Sequence, residues 1–71
     1  MKELLKELGF KEIEQDGVNG WSKPYRGFIL FIGKVIVREE YLAAITVGRN
    51  IEISMPLPVD ILWVREFDTQ N

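Results

Sequence analysis

The sequence predicts an α+β domain in which a short N-terminal helix packs on a strongly bent antiparallel sheet of about five strands. Three observations lead to this fold class. The 71 residues are about half the length of an average domain, so residues 1–71 are predicted to form a single domain. The first eight residues have helical spacing, and most of the remainder has strand-like composition. The alternative architecture is a small SH3-like or OB-like barrel with the helix as a plug.

The N-terminal segment has the pattern of a short amphipathic helix followed by a strand. Residues 1–8 are predicted to be helical because their apolar side chains recur at helical spacing. Gly9 tolerates the left-handed conformation that closes a helix, and Phe10 is expected to fold back onto the helix. Residues 11–16 place Ile13 between charged neighbours, which predicts a strand at the edge of the sheet.

The middle of the chain is predicted to form a loop and then a hairpin. Residues 17–24 contain two Gly, one Asn, one Ser and one Pro, a composition typical of loops. Residues 25–38 have strand composition, and Gly33-Lys34 has the order of a two-residue hairpin turn. That turn sets two cross-strand pairs, Ile32 with Val35 and Leu30 with Val37. Both faces of the hairpin are apolar, with Phe28, Leu30, Ile32, Val35 and Val37 on one and Ile29, Phe31 and Ile36 on the other.

A second hairpin is predicted between Tyr41 and Leu57. A loop of three residues, 48–50, makes every opposed pair apolar, so that Ala43 lies opposite Met55. A two-residue loop would set polar side chains against apolar ones. Because a slip of one residue turns every side chain to the other face, burial selects the three-residue loop.

The C-terminal part of the chain is predicted to end in a strand. Pro56 and Pro58 have no N–H to donate to a strand ladder, so this stretch leaves the sheet or runs along its edge. Residues 61–67 are predicted to form the last strand, and residues 68–71 a frayed tail.

No catalytic site, metal site or cofactor is predicted. The chain has no Cys and no His, which removes disulfides, thiolate or imidazole zinc sites, and the commonest catalytic base. An enzyme would need converging carboxylates, such as Asp60 with Glu39 or Glu40 in one pocket. Adjacent strand residues point to opposite faces, so Glu39 and Glu40 are not expected to converge. The sequence therefore predicts a protein that is not an enzyme.

A cytoplasmic location is expected, without membrane association. The longest apolar run is far below the ~20 residues that span a bilayer. The N-terminus also lacks the apolar core of a signal peptide.

Candidate binding residues lie in a basic and aromatic segment, residues 17–38. This segment carries four cations and no acid, although the whole chain has a net charge of −2. Cations that hold phosphates and aromatic rings that stack on bases are typical of single-stranded nucleic-acid binding. The candidate residues are Trp21, Lys23, Tyr25, Arg26 and Arg38. For Trp21 a second interpretation stays open, in which the ring covers an edge of the core rather than anchoring a partner.

The favoured hypothesis is a small non-catalytic protein-interaction module, either a homodimer or a subunit or inhibitor of a larger assembly. An apolar fraction of 46% is high for a chain that buries so little of its surface by itself. The acidic flanks of the basic segment oppose nucleic-acid binding, which is therefore the alternative. The central question is what covers the second face of residues 26–37.

Overall fold

The structure is a computed structural model that describes residues 1–15, 18–35, 37, 39–47 and 57–70. Two helices and five strands follow one another along the chain: α1 (Lys2–Glu7), β1 (Lys11–Gln15), β2 (Val18–Tyr25), β3 (Phe28–Val35), β4 (Glu40–Val47), β5 (Leu57–Val59) and α2 (Ile61–Gln70). The predicted α+β class, with an N-terminal helix and a five-stranded antiparallel sheet, is confirmed. None of the helices in the described ranges is long and apolar enough to cross a membrane.

The sheet is an open meander. Its strands lie in chain order, and each pairs antiparallel with the next. β1 and β5 are the two edges and do not pair with each other, so the barrel alternative is wrong. Pro58 lies in the edge strand β5, one of the two positions predicted for it.

The N-terminal helix ends as its sequence predicts. Gly9 has φ +87°, in the left-handed region that glycine adopts without a steric penalty. The Phe10 N–H donates to the Leu5 carbonyl oxygen at 2.9 Å, and both side chains lie in the core. The predicted fold-back of Phe10 onto the helix is confirmed.

Both helices pack on one face of the sheet, which we call the helix face. Alternation along the strands brings Trp21, Ile32 and Ala43 into one row on this face. The core combines these with residues from both helices and from the rest of the sheet: Leu4, Leu5, Phe10, Trp21, Leu30, Ile32, Ala43 and Val64. A single core therefore lies between the two helices and the sheet.

The loop predicted over residues 17–24 is wrong, because this stretch forms most of β2. Gly20 pairs with Ile13 of β1 and with Gly33 of β3, so it lies inside the sheet rather than in a loop. Pro24 lies beyond Ser22, the last residue of β2 that pairs with β1. There β2 has a neighbour on one side only, and proline is tolerated in a strand.

The turn predicted at Gly33-Lys34 is also wrong. The chain reverses at Arg26-Gly27, where Tyr25 pairs with Phe28 and Gly27 has φ +82°. β3 then continues to Val35, which pairs with Glu40. The predicted pairs of Ile32 with Val35 and of Leu30 with Val37 are therefore not formed.

The predicted division of β3 into two apolar faces holds for Phe28 to Ile32. Phe28, Leu30 and Ile32 lie on the helix face, and Ile29 and Phe31 lie on the other. Without a turn at Gly33-Lys34, Val35 moves from the first predicted set to the second. Val37 follows the strand and is 91% exposed, and Ile36 lies outside the described residues.

The strand register after β4 differs from the predicted one by two residues. Ala43 pairs with Leu57 rather than with Met55. A shift of two keeps every side chain on its predicted face, which is why the apolar pattern does not distinguish the two registers. The predicted loop 48–50 and Pro56 lie outside the described residues.

The strand predicted over residues 61–67 and the frayed tail after it are wrong, because residues 61–70 form α2. Asp60 caps this helix: its Oδ1 accepts the Trp63 N–H at 2.8 Å, and its carbonyl oxygen accepts the Val64 N–H at 3.1 Å. Trp63 and Phe67, four residues apart, stack with ring centroids at 5.0 Å.

Replacing Asp60 with alanine is expected to lower the free energy of unfolding by about 1 kcal/mol, because the Trp63 N–H loses its acceptor. Asp60→Asn keeps an acceptor oxygen at the same place and is expected to retain most of the stability. Urea unfolding of both variants measures the difference. Equal losses in the two variants would show that the cap does not stabilise α2.

Candidate functional site

The candidate binding residues that the structure describes lie on β2 and in the turn that follows it. Trp21, Lys23 and Tyr25 alternate along β2, so all three project from the helix face. Arg26 is exposed in the turn to β3. Arg38 lies outside the described residues. The structure therefore brings three of the five candidates together on the face that the helices cover.

Trp21 is part of the core. It is 4% exposed, and its ring lies 5.9 Å from that of Tyr41 at an angle of 41°. Its neighbours across the sheet are Glu12 and Ile32. This position agrees with the second interpretation of Trp21, in which the ring covers the core.

Lys23 joins three elements of the fold. Its Nζ donates to the Leu8 carbonyl oxygen just after α1, at 2.6 Å, and to Asp68 Oδ1 of α2, at 2.5 Å. The Tyr25 hydroxyl donates to the same Oδ1 at 2.9 Å. We call Lys23, Tyr25 and Asp68 the polar clamp, because it connects both helices to β2.

Aromatic rings surround the polar clamp. Lys23 Nζ lies 5.8 Å from the ring centroid of Phe10 and 5.4 Å from that of Tyr25. Tyr25 in turn stacks on Phe28 at 5.4 Å and meets the edge of Phe67 at 5.2 Å. The Tyr25 ring and the Lys23 ammonium group therefore contact other aromatic rings of the same chain.

Electrostatics in the polar clamp favour a charged Asp68 and a neutral Tyr25. The hydrogen bond from Lys23 lowers the pKa of Asp68 below its ordinary value, and the Tyr25 hydroxyl acts in the same direction. Partial burial opposes these effects on Asp68 without overcoming them. Burial first, and then the bond to Asp68, raise the pKa of Tyr25. The charge of Lys23 is thus compensated by Asp68.

A shallow depression near the start of α2 contains the carboxylates that an enzyme would need. Glu39, Glu40 and Asp60 line it together. The Asp60 carboxylate is used as the helix cap through its bond to Trp63. Within the described residues, no group of three or more acidic side chains is placed to hold a metal ion.

The opposite side of the sheet from the helices, which we call the open face, is mostly apolar. Its apolar members in the described part of the chain are Ile13, Pro24, Ile29, Phe31, Val35, Leu42, Ala44 and Pro58. None of them packs against the core. Ile29 is 40% exposed. Among the described residues of this face, the charged side chains are Lys11 at the start of β1 and Glu40 at the start of β4.

Two adjacent positions of the open face carry no side chain. Gly20 and Gly33 are cross-strand partners on β2 and β3, which we call the glycine pit. A Cβ built on Gly33 would meet no atom within 4 Å, whereas one on Gly20 would lie 3.2 Å from the Ile32 carbonyl oxygen. Ile13 and Leu42 flank the pit in the same cross-strand row. Phe31 stands next to it along β3.

Sequence reasoning missed Asp68 and the glycine pit. Asp68 falls in the predicted frayed tail. A capping residue at Asp60 and the spacing of Trp63 and Phe67 are both typical of a helix, and that helix contains Asp68. For the pit, a glycine inside a strand pattern is itself a signal of close approach by another chain segment or ligand.

No protein-family model, curated protein or solved structure matches this chain.

Proposed function

We propose that this chain is a non-catalytic protein-interaction module that binds a protein surface through its open face, as a homodimer or as a subunit or inhibitor of a larger assembly. One observation carries the proposal: the central strands have apolar residues on both faces, and the two helices cover only one of them. Antiparallel sheets that face water normally carry polar residues on that side.

The open face is large enough to form an interface. With strands ~4.8 Å apart and ~3.3 Å per residue, the five strands span roughly 500 Å² in projection. This is about a tenth of the 5679 Å² of accessible surface, the share that one partner contributes to an ordinary interface. The apolar positions occupy part of this area, and contiguous apolar patches of a few hundred Å² mark interaction sites on many proteins.

The chemistry of the open face suits a protein better than a nucleic acid. A single-strand binder needs a track of cations beside several stacking rings. Among the described residues of this face, Lys11 is the one cation and Phe31 the one aromatic residue. The basic and aromatic candidates Lys23 and Tyr25 lie on the helix face, where both donate hydrogen bonds to Asp68.

Site-specific photo-crosslinking in the native host tests the proposal. A photoreactive amino acid at Ile29, which is exposed on the open face, is expected to form covalent adducts with protein. The control position is Glu66, which is exposed on α2. Adducts that are absent at position 29, or equally abundant at position 66, would contradict the proposal.

An oligonucleotide column distinguishes the alternative function. The wild-type chain is expected to pass unretained through mixed single-stranded oligonucleotides at low salt. Retention that falls with added salt and with Lys23→Ala or Arg26→Ala would instead support nucleic-acid binding through residues 17–38.

A further inference from the structure

We infer that the partner on the open face is a second copy of this chain, bound so that Phe31 of each copy enters the glycine pit of the other. This inference rests on the proposed function and names the partner of the same surface. Its basis is that the open face carries the partly exposed Phe31 and, two residues further along the same strand, a glycine with open space where a side chain would be.

The projection and the depression are neighbours on the central strand. Phe31 and Gly33 are two residues apart on β3, so both lie on the open face at a spacing of ~7 Å. Gly20 widens the pit towards β2. An aromatic side chain therefore lies next to two positions without side chains, and two copies related by a two-fold axis can place one against the other.

A two-fold axis satisfies both contacts at once. When the axis runs across the strands between Phe31 and Gly33, each Phe31 lies over Gly33 of the other copy. The same rotation sets Ile29 against Val35 and Ala44 against Leu42. These pairs are apolar. On β2 the rotation sets Ser22 against Gly20, and on the edge strand β1 it sets Lys11, which is exposed, against Ile13.

Sheet geometry favours contacts at the centre of such an interface. Packed sheets lie ~10 Å apart and cross at about 30°, so only residues near the axis stay in register. β3 is the middle strand of the five, and both Phe31 and Gly33 of the glycine pit lie on it. Among the described residues, the charged side chains of this face lie on other strands, Lys11 on the edge strand β1 and Glu40 at the first position of β4.

The area predicts a dimer of limited affinity. Two open faces of roughly 500 Å² bury about 1,000 Å² together, which is the lower limit for a specific interface. The chain is therefore expected to exchange between monomer and dimer as its concentration changes.

Sedimentation of the purified chain over a wide concentration range tests the inference. The wild type is expected to move from monomer to dimer. Gly33→Val fills the pit, and the open space around Gly33 and its ordinary φ allow the monomer to fold with it. Phe31→Ala removes the projection. Each change is expected to raise the dissociation constant of the dimer by about 30-fold or more, the effect of removing a central contact.

The matched control is Lys34→Val, which adds the same side chain on the same strand but on the helix face, at an exposed position. It is expected to leave the dissociation constant unchanged. Circular dichroism of all variants checks that each is folded.

Two results would overturn the inference. A dimer that is insensitive to both Gly33→Val and Phe31→Ala would show that the copies meet elsewhere. A wild type that is monomeric at every concentration would exclude the second copy as partner. In that second case the crosslinks at Ile29 still test the proposed function, because adducts with another protein would support it without a second copy of this chain.

Discussion

Replacing Ile32 with alanine is expected to lower the free energy of unfolding by about 2–5 kcal/mol. Ile32 is fully buried on the helix face, where it pairs with Trp21 on one side and Ala43 on the other. A chain of 71 residues has a total stability of only about 4–11 kcal/mol, so this single change removes a large part of it. Urea unfolding followed by Trp fluorescence gives the value.

Ile29→Ala is the matched control, because it makes the same substitution on the same strand but on the open face. Ile29 is 40% exposed, so its loss is expected to cost less than about 1 kcal/mol at concentrations where the chain is monomeric. Equal losses of stability in the two variants would contradict the difference in burial between Ile32 and Ile29.

The parts of the fold that the sequence predicts correctly are those that local periodicity determines. The apolar spacing of α1 and the stop at Gly9 need only the next few residues, and both agree with the structure. The alternation of Phe28 to Ile32 likewise defines two faces without knowledge of the rest of the chain.

The errors fall where a distant segment overrides local composition. Gly20 belongs to a strand because Gly33, thirteen residues later, lies opposite it. Gly and Pro are typical of turns when only neighbours are considered, but in a sheet they also mark close approaches and unpaired edges. Pro24 is tolerated because β1 begins at Lys11, opposite Ser22, and the sequence does not specify which residues of β1 and β2 lie opposite each other.

The C-terminal helix was missed for a different reason. The apolar run of Ile61 to Val64 is as compatible with a buried strand as with a helix. Asp60 and the later Phe67 distinguish the two, since a cap and i, i+4 spacing belong to a helix. The prediction of a frayed tail depends on this error, and for that reason Asp68 is not predicted to lie in a helix.

The candidate site was predictable in part. The apolar second face of β3 raises the question of what covers it, and the structure shows that neither helix does. The polar clamp was not predictable, because Lys23 and Asp68 are 45 residues apart and local patterns do not relate them. Lys23 and Tyr25 are predicted as binding residues because the sequence does not show that Asp68 of the same chain accepts hydrogen bonds from both.

Replacing Asp68 with asparagine is expected to lower the free energy of unfolding by about 1–2 kcal/mol at neutral pH. The substitution keeps the shape and one acceptor oxygen but removes the charge that Lys23 faces. Hydrogen bonds to charged groups contribute about 1.5–3 kcal/mol, and a discount applies here because both side chains are about a quarter exposed. Lys23→Met and the double variant complete a cycle that isolates the pair.

The contribution of Asp68 is expected to depend on pH in one direction. Its pKa is lowered in the folded chain from the ordinary value of 3.8, because Lys23 and Tyr25 both donate to the charged carboxylate. A carboxylate with a depressed folded pKa stabilises fully above its unfolded pKa, and that stability is lost as the pH falls through the folded pKa. The difference in unfolding free energy between wild type and Asp68→Asn should therefore be constant well above the ordinary pKa of 3.8 and shrink as the pH falls below it. A difference that stays constant down to pH 2 would show that the charge of Asp68 does not hold α2 to β2.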